Sequence, residues 1–482
     1  MDQATDRRKL IEDVKVANDH LSDAIDNDEP IHVISHLDAD GLAAAGILGG
    51  ALWRRNANLH LRVQQWMDEK IVAEIQSLHP SLTVFTDMGA GYLDILSTRL
   101  PTYRIIVLDH HQKKGEVTEN IVTVNPHEHG FDGSKEISGA GVTYLVAQAL
   151  DSSNMDLAGL AVIGALGDQQ DKFEKRSLGG LNLEIVKDAE KSGVLETCTD
   201  LQFFGRETRP IHKALAYTTT PFIPGISGEE DKSLSLLLHL NIKPKIGDRW
   251  RALRDLSSEE KRTLCSALSD HMVAKGVSEH VLNLIGRVYT LVNEEPWTPL
   301  RDAREFSVLL NSTGRMGRPS IGVAITLGDR RAAVDEASTI LENYRHTITR
   351  NMNWLMEKPD RIREMRSIYL VQGEGFIDEK MIGTLASILS TTLPSWNKPI
   401  IAYAAVSEKG VVKVSARTLA RMTEKGLNLG KIMGLAAKRF HGEGGGHDIA
   451  AGAQIPFSSV DDFVELVDEL IYRDVSEVFA EG

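Results

Sequence analysis

The chain has 482 residues, 42% of them hydrophobic, a net charge of -14 and a sequence pI of about 5.6. Its length calls for about two to four domains, and it holds no apolar run of about 18 residues, which excludes a membrane-spanning helix. The acidic balance argues against a protein that coats polyanions indiscriminately, but it does not exclude a nucleic-acid enzyme, because a metal site needs clustered acids and local basic patches can still guide a phosphate backbone.

Apolar residues at helical spacing over 8–25 predict an N-terminal helix. Residues 31–35 read as a buried strand, 42–53 as a buried helix rich in Ala, Leu and Gly, 59–63 as a short strand and 68–78 as a helix. Strands follow at 81–86 and 103–108, then helices at 142–150 and 157–166. Strands alternating with helices predict an open parallel sheet, and such sheets bind ligands beyond the carboxyl ends of their strands. Cys198 and Cys265 make neither a metal motif nor a disulfide framework. Residues 1–7 hold no apolar signal core, so a cytoplasmic setting is expected.

Three of the predicted strands end in acids and histidines. His36, Asp38 and Asp40 follow the first strand at spacings of two, which in an extended chain puts them on one side. Two carboxylates and an imidazole that close repel and desolvate one another unless something positive sits among them, and a divalent metal is the simplest candidate. A polar loop with Asp40 capping the next helix is the plainer alternative. Asp87 ends the strand at 81–86, and Asp109-His110-His111 ends that at 103–108. Neighbouring residues in an extended segment face opposite ways, so one histidine is expected to reach a metal and the other a substrate. The stretch 125–130 reads as a solvated turn, Ser138 as the cap of a tightly packed helix, and Asp168 as a ligand or cap closing the helix before it.

These residues together run in the order, and at spacings similar to those, of the four motifs of the DHH phosphoesterase superfamily, which the first ~180 residues resemble. The resemblance implies a two-metal site holding Mn²⁺, with Mg²⁺ as the alternative. His36 and Asp38 would hold one ion, Asp40, His110 and Asp168 the other, and Asp87 would bridge them. His111 and Asp109 would be the catalytic pair, His111 facing the scissile phosphate and Asp109 standing behind the ligands or joining them. Two ions about 3.5–4 Å apart can share a nucleophile and stabilise the leaving oxygen of an in-line displacement.

The middle of the chain departs from a minimal DHH protein. Residues 257–275 read as a helix, and 309–319 as a glycine- and arginine-rich turn. Arg206, Arg209, Arg315 and Arg318 are candidates for phosphate contact. From 367 the pattern changes to strands at 367–371, 399–406 and 411–416 and helices at 379–393 and 429–440. Gly444, Gly445, Gly446 and His447 then read as a loop whose backbone N–H groups and imidazole face an anion, with Arg417 adding a charged fork. This resembles the DHH-associated C-terminal domain. The expected architecture is α/β: a parallel-sheet DHH domain at 1–190, a mixed, helix-rich insertion at 191–366 and a smaller α/β domain at 367–482, with the active-site cleft between them.

The whole resembles the archaeal RecJ-like nucleases. That implies a metal-dependent exonuclease on single-stranded nucleic acid, 5′→3′ on DNA and with RNA as a further substrate, acting in replication or repair and partnered by the GINS complex of the replicative helicase. A small-substrate phosphoesterase and a non-catalytic replisome subunit are the alternatives.

Overall fold

The sheet of the first unit is built from β1 (Ile31–His36), β2 (Leu59–Gln64), β3 (Leu82–Thr86), β4 (Ile105–Leu108) and β5 (Ile121–Val124), all parallel and in the order β2-β1-β3-β4-β5. The computed structural model describes residues 3–218, 221–373, 375–392, 398–406, 410–424 and 426–480. Two compact units divide the chain, Met1–Leu341 and Glu342–Gly482.

The central strands β1, β3 and β4 are buried almost throughout, as a parallel sheet covered on both faces requires, which is why they read as largely apolar runs rather than alternating ones. The edge strand β2 alternates half-buried and exposed positions. The chain leaves β1 for β2 on one side and returns to β3 on the other, so the carboxyl ends of β1 and β3 flank the point where the winding reverses. Crevices form at such points. The fourth crossover yields the short strand β5, which four residues of sequence did not signal.

Helices α1 (Gln3–Asp26), α2 (Ala39–Arg54), α3 (Glu69–Leu78), α4 (Leu93–Arg99), α5 (Gly139–Leu150), α6 (Ala158–Gly167) and α7 (Gly180–Lys191) surround the sheet. The first eleven residues of α2, Ala39 through Gly49, are buried all round, and small side chains let other elements close on it from every side.

The insertion leaves and returns through an antiparallel pair, Leu195–Leu201 with Ile285–Leu291, Leu195 lying opposite Leu291 and Leu201 opposite Ile285. This ladder brings the ends of the lobe together. Leu201, Phe203, Leu215, Leu237, Leu253 and Leu268 are part of the core it closes on. The helix expected at 257–275 is Ser258–Ala274, with Ser257 and Glu260 forming a capping box.

The turn expected at 309–319 is instead the end of one helix, Ala303–Arg315, and the start of another, Pro319–Thr326. Phe306, Leu309, Leu310 and Thr313 form a buried stripe at helical spacing. The glycine read as a turn former is there for contact: a Cβ on Gly314 would lie 1.8 Å from the Leu37 carbonyl oxygen.

The second unit carries a mixed six-stranded sheet in the order Ile362–Glu364, Tyr369–Gln372, Ile400–Val406, Val411–Arg417, Ala450–Pro456, Glu443–Gly446, with only the second and third of these parallel. The helix expected at 379–393 is Glu379–Thr392, and residue 393 lies outside the described residues. The glycine run is not a loop. Gly444 to Gly446 form an edge strand, paired with Ala453, Gly452 and Ala451. A Cβ on Gly444 would sit 2.5 Å from the Met433 carbonyl oxygen, so the absent side chain lets the helix Leu429–Arg439 lie directly on the strand.

Candidate metal centre

The eight DHH-motif residues meet at the carboxyl ends of β1, β3 and β4, six of them in two ligand sets and Asp109 and His111 beside Asp87 and His110. His36 Nδ1 lies 3.0 Å from Asp38 Oδ2 and 3.6 Å from Asp87 Oδ2. His110 Nε2 lies 3.2 Å from Asp87 Oδ1, 3.3 Å from Asp168 Oδ2 and 3.7 Å from Asp40 Oδ2. The side chains form two linked sets, His36-Asp38-Asp87 and Asp40-His110-Asp168, each compact enough to close on a cation. Asp87 stands between them.

Strand alternation does not carry Asp38 and Asp40 here, contrary to expectation. β1 stops at His36, and the chain turns at once into α2. Asp38, not Asp40, is the helix cap, its Oδ1 accepting from the Gly41 N–H at 3.1 Å while Oδ2 faces His36. Asp40 lies in the first turn of α2, 1% exposed, and accepts from the Gly139 and Ala140 N–H groups at 2.7 and 3.0 Å. The amino end of α5 thus holds it in place. Ser138 caps α5 as expected, and the same turn also reaches the cluster: a Cβ on Gly139 would lie 2.5 Å from Asp87 Oδ1. Asp87 itself has a φ of 55°, in the left-handed region that Asp tolerates better than most residues.

His110 and His111 part as expected. His110 is fully buried and its Nδ1 donates to the Gly133 carbonyl at 2.7 Å. The His111 side chain is 43% exposed, with Nδ1 on Asp109 Oδ1 at 2.7 Å. Asp109 is buried and also accepts from the N–H groups of Ala90, His110 and His111. It supports both histidines from behind, and with Asp87, His110 and His111 it makes a third group whose donor atoms lie within 4.8 Å of one another. Asp168 caps α6.

Sequence reasoning missed several supports. Gln170 is buried and donates to the same Gly133 carbonyl at 2.9 Å, and Asn182 donates to Gln170 at 2.7 Å. Asn311 accepts from the Ala39 N–H at 2.9 Å, tying the helix Ala303–Arg315 to the first residue of α2. Buried amides close to an acidic motif, as in Gly167-Asp168-Gln169-Gln170-Asp171, were the available signal. His129, read as solvated, instead pairs with Asp13 at 2.5 Å and is largely buried.

The electrostatics describe a site with more negative charge than its burial supports. Burial raises the Asp40 carboxyl well above its ordinary value, and Asp87 and Asp168 add to the shift. Burial also pushes Asp168 up to about 6, with His110 opposing and Asp38 and Asp87 reinforcing. Burial would lower His36, but Asp38 and Asp87 outweigh it and carry the imidazole up to about 10. His110 is raised in the same way, against its burial, by Asp87, Asp168 and Asp40. Asp38 is lowered despite burial by His36, the Gly41 N–H and the nearby charge of Arg315. Cations relieve this excess more fully than protons. The donors fit: carboxylate oxygens and imidazoles suit Mn²⁺ or Mg²⁺ better than a thiolate-seeking metal. With His110 Nδ1–H committed to Gly133, Nε2 is the ring nitrogen left for a metal.

The arginines divide. Arg315 lies close enough to act on Asp38. Arg206 is buried on Asp200 at 2.9 Å, Arg209 packs over the rings of Phe204 and Tyr217, and Arg318 pairs with Glu336. In the second unit, Arg417 donates to Ser387 Oγ at 2.9 Å and to the Ala416 carbonyl at 2.8 Å, and the His447 N–H donates to the Ala450 carbonyl at 2.8 Å.

Family models match three stretches: the DHH family N-terminal domain over residues 30–165, the DHH-CID domain over 203–285 and the DHHA1 domain over 367–473. An uncharacterized protein of Methanocaldococcus jannaschii is 32% identical over 447 residues, 92% of this chain and 93% of that one. The single-stranded-DNA-specific exonuclease RecJ of Bacillus subtilis is 26% identical over 193 residues, 38% of this chain but only 25% of that relative. Among solved structures, RecJ of Thermus thermophilus with Mn²⁺ matches with a TM-score of 0.57 at 18% identity, over 96% of this chain and 55% of that one. CDC45 of Entamoeba histolytica matches with a TM-score of 0.62 at 12% identity, over 95% and 99%. At such identities the likeness to the two solved structures is one of fold. With three matched domains in this order and one relative aligned along nearly its whole length, the chain belongs to the DHH superfamily of hydrolases as a RecJ-like member.

Proposed function

We propose that the chain is a divalent-metal-dependent exonuclease that hydrolyses phosphodiester bonds of single-stranded nucleic acid, 5′→3′ on DNA and with RNA as a further substrate. The observation that carries the reading is Asp87, whose two oxygens face different sets of ligands, one 3.6 Å from His36 and the other 3.2 Å from His110. A carboxylate so placed can serve two cations at once. In this reading His36, Asp38 and Asp87 hold one ion, and Asp87, Asp40, His110 and Asp168 the other, Mn²⁺ or Mg²⁺. Bound there, the pair supplies charge neutralisation and water activation for an in-line displacement at phosphorus.

The side chains of the protein do the remaining work. His110 is locked in orientation by Gly133, and Asp40 by the amino end of α5. His111, held at Nδ1 by Asp109, turns its other nitrogen outward, where it can donate to a phosphate oxygen or to the departing oxygen of the cleaved bond. Arg315 steers the phosphate from beside Asp38. Arg417, His447 and the strand Gly444, Gly445, Gly446 contact the nucleic-acid backbone. We place the domain boundaries at 1–190, 191–366 and 367–482. Docking to a GINS-type complex, which the resemblance to archaeal RecJ-like nucleases implies, is to be tested by pull-down with a metal-dead variant alongside.

The deciding experiment incubates single strands of DNA and RNA, labelled at either end, with Mn²⁺ and with Mg²⁺. Stepwise release of mononucleotides from the 5′ end of DNA is expected. Cleavage of dinucleotides or nucleotide phosphates alone overturns the exonuclease reading.

A further inference from the structure

We propose that His32, His60 and Glu74 form a second metal site, zinc-selective and structural, that pins the edge strand β2 and helix α3 to β1. No step of the proposed hydrolysis uses these residues. His32 lies four residues before His36 on the same strand, about 13 Å away at 3.3 Å per residue, so the two centres are separate.

Three elements bring the ligands together. In the parallel register of β1 and β2, His32 stands directly beside His60, and their rings lie 4.6 Å apart with a tilt of 33°. Helix α3 crosses the same face. Its buried Ile71 and Ile75 pack into the core shared with Ile34, and Glu74, three residues after Ile71, comes down beside the histidines. One donor atom from each of the three residues can be chosen so that all lie within 4.8 Å of one another.

His32 is the observation that asks for a ligand. It is 1% exposed, and neither ring nitrogen has a hydrogen-bond partner among the described residues. A buried polar atom left unsatisfied costs about 1–3 kcal/mol. Its Nε2 lies 3.7 Å from Glu74 Oε1, too far for a hydrogen bond. Two donors about 2.1 Å from a tetrahedral zinc ion stand about 3.4 Å apart, so the gap matches an ion-bridged pair more closely than a direct bond. Burial pushes His32 down to about 4, and His60 and Arg62 reinforce the shift, so the imidazole is neutral near pH 7 and offers a lone pair.

The facing charges are Glu74 and Arg62. Arg62 lies 3.6 Å from the other Glu74 oxygen and is 47% exposed, so its guanidinium can move into solvent when a cation enters. Two imidazoles and one carboxylate make a set that favours Zn²⁺, Co²⁺ or Ni²⁺, whereas the carboxylate-rich cluster favours Mn²⁺ or Mg²⁺.

The test strips the full chain of metal with a chelator, saturates it with Mn²⁺, and titrates Zn²⁺ by calorimetry while following the thermal unfolding midpoint. His60→Ala and Glu74→Gln are compared with the unsubstituted chain; His60 is exposed, so its replacement leaves the core intact. Both variants are expected to bind Zn²⁺ roughly tenfold or more weakly, to lose the zinc-induced rise in midpoint, and to keep their Mn²⁺-dependent cleavage. Co²⁺ should give the visible band of a tetrahedral site in the unsubstituted chain and not in His60→Ala. Equal zinc affinity and equal midpoint shifts in all three proteins overturn the proposal, as does an unsubstituted chain that takes up no zinc beyond its Mn²⁺ complement.

Discussion

The Nδ1 of His110 donates to the carbonyl oxygen of Gly133 at 2.7 Å, and that bond decides which ring nitrogen faces the carboxylates. The Gly133 carbonyl also accepts from Gln170, which is held in turn by Asn182. A chain of buried amides therefore stands behind one histidine of the candidate metal centre. Such outer partners set ligand orientation and basicity.

Gln170→Leu keeps the approximate volume and removes the donor. The expected result is a 10–100-fold weaker apparent Mn²⁺ affinity, the range for outer-shell substitutions, with turnover recovering at high Mn²⁺. A lowered rate that no Mn²⁺ concentration restores would point to misfolding instead. The check is cleavage rate against Mn²⁺ concentration, with thermal unfolding in parallel.

Asp87→Ala removes the side chain that stands between both ligand sets. Cleavage is expected to fall more than roughly 100-fold, beyond the cost of losing an outer partner, while the fold persists because the substitution relieves charge repulsion. Near-native turnover in Mn²⁺ would falsify the bridging role.

Much of this centre was legible because parallel strands end in order. The acids after residues 35, 86 and 108 each follow an apolar run, and a doubly wound sheet gathers such ends at one rim. The parting of His110 from His111 followed from alternation alone. What escaped was tertiary. Asn311 and Ala39 are 272 residues apart, and nothing local links them. Gly314 was read as a turn because glycine breaks helices in isolation, whereas here it lets a helix approach the Leu37 carbonyl. The run Gly444 to Gly446 misled in the same way: an edge strand under a helix also needs residues without side chains.

Arg417→Ala and His447→Ala test the second unit. Charge-assisted hydrogen bonds contribute about 1.5–3 kcal/mol, so each loss is expected to raise the KM for a long strand by roughly tenfold or more, with Mn²⁺ content unchanged. Arg417 also donates to Ser387 and to the Ala416 carbonyl, so Arg417→Lys, which keeps charge and loses the fork, separates binding from packing. If both alanine variants degrade long single strands with native KM, the strand-contact role of this unit is wrong.

Glu305 gives the chain a pH-dependent stability distinct from its chemistry. It is 2% exposed, in the first turn of the helix that carries Asn311 and Arg315, and accepts from the Glu207 N–H and the Thr208 hydroxyl. Burial, with the neighbouring Asp302, raises its carboxyl from the usual 4.5 to about 7. Between those values the folded chain holds a proton that the unfolded chain has lost. Stability is therefore fully present below about pH 4.5 and falls as pH rises through 7, by on the order of 3 kcal/mol at most. Glu305→Gln carries no ionisable proton; its carbonyl oxygen can accept from the Glu207 N–H while its NH2 donates to the Thr208 hydroxyl. The difference in unfolding free energy between the two proteins, measured by denaturant titration from pH 5 to 8, should move in favour of the glutamine variant as pH rises and level off above 7. A difference that stays constant across that range shows that Glu305 is already ionised in the folded chain.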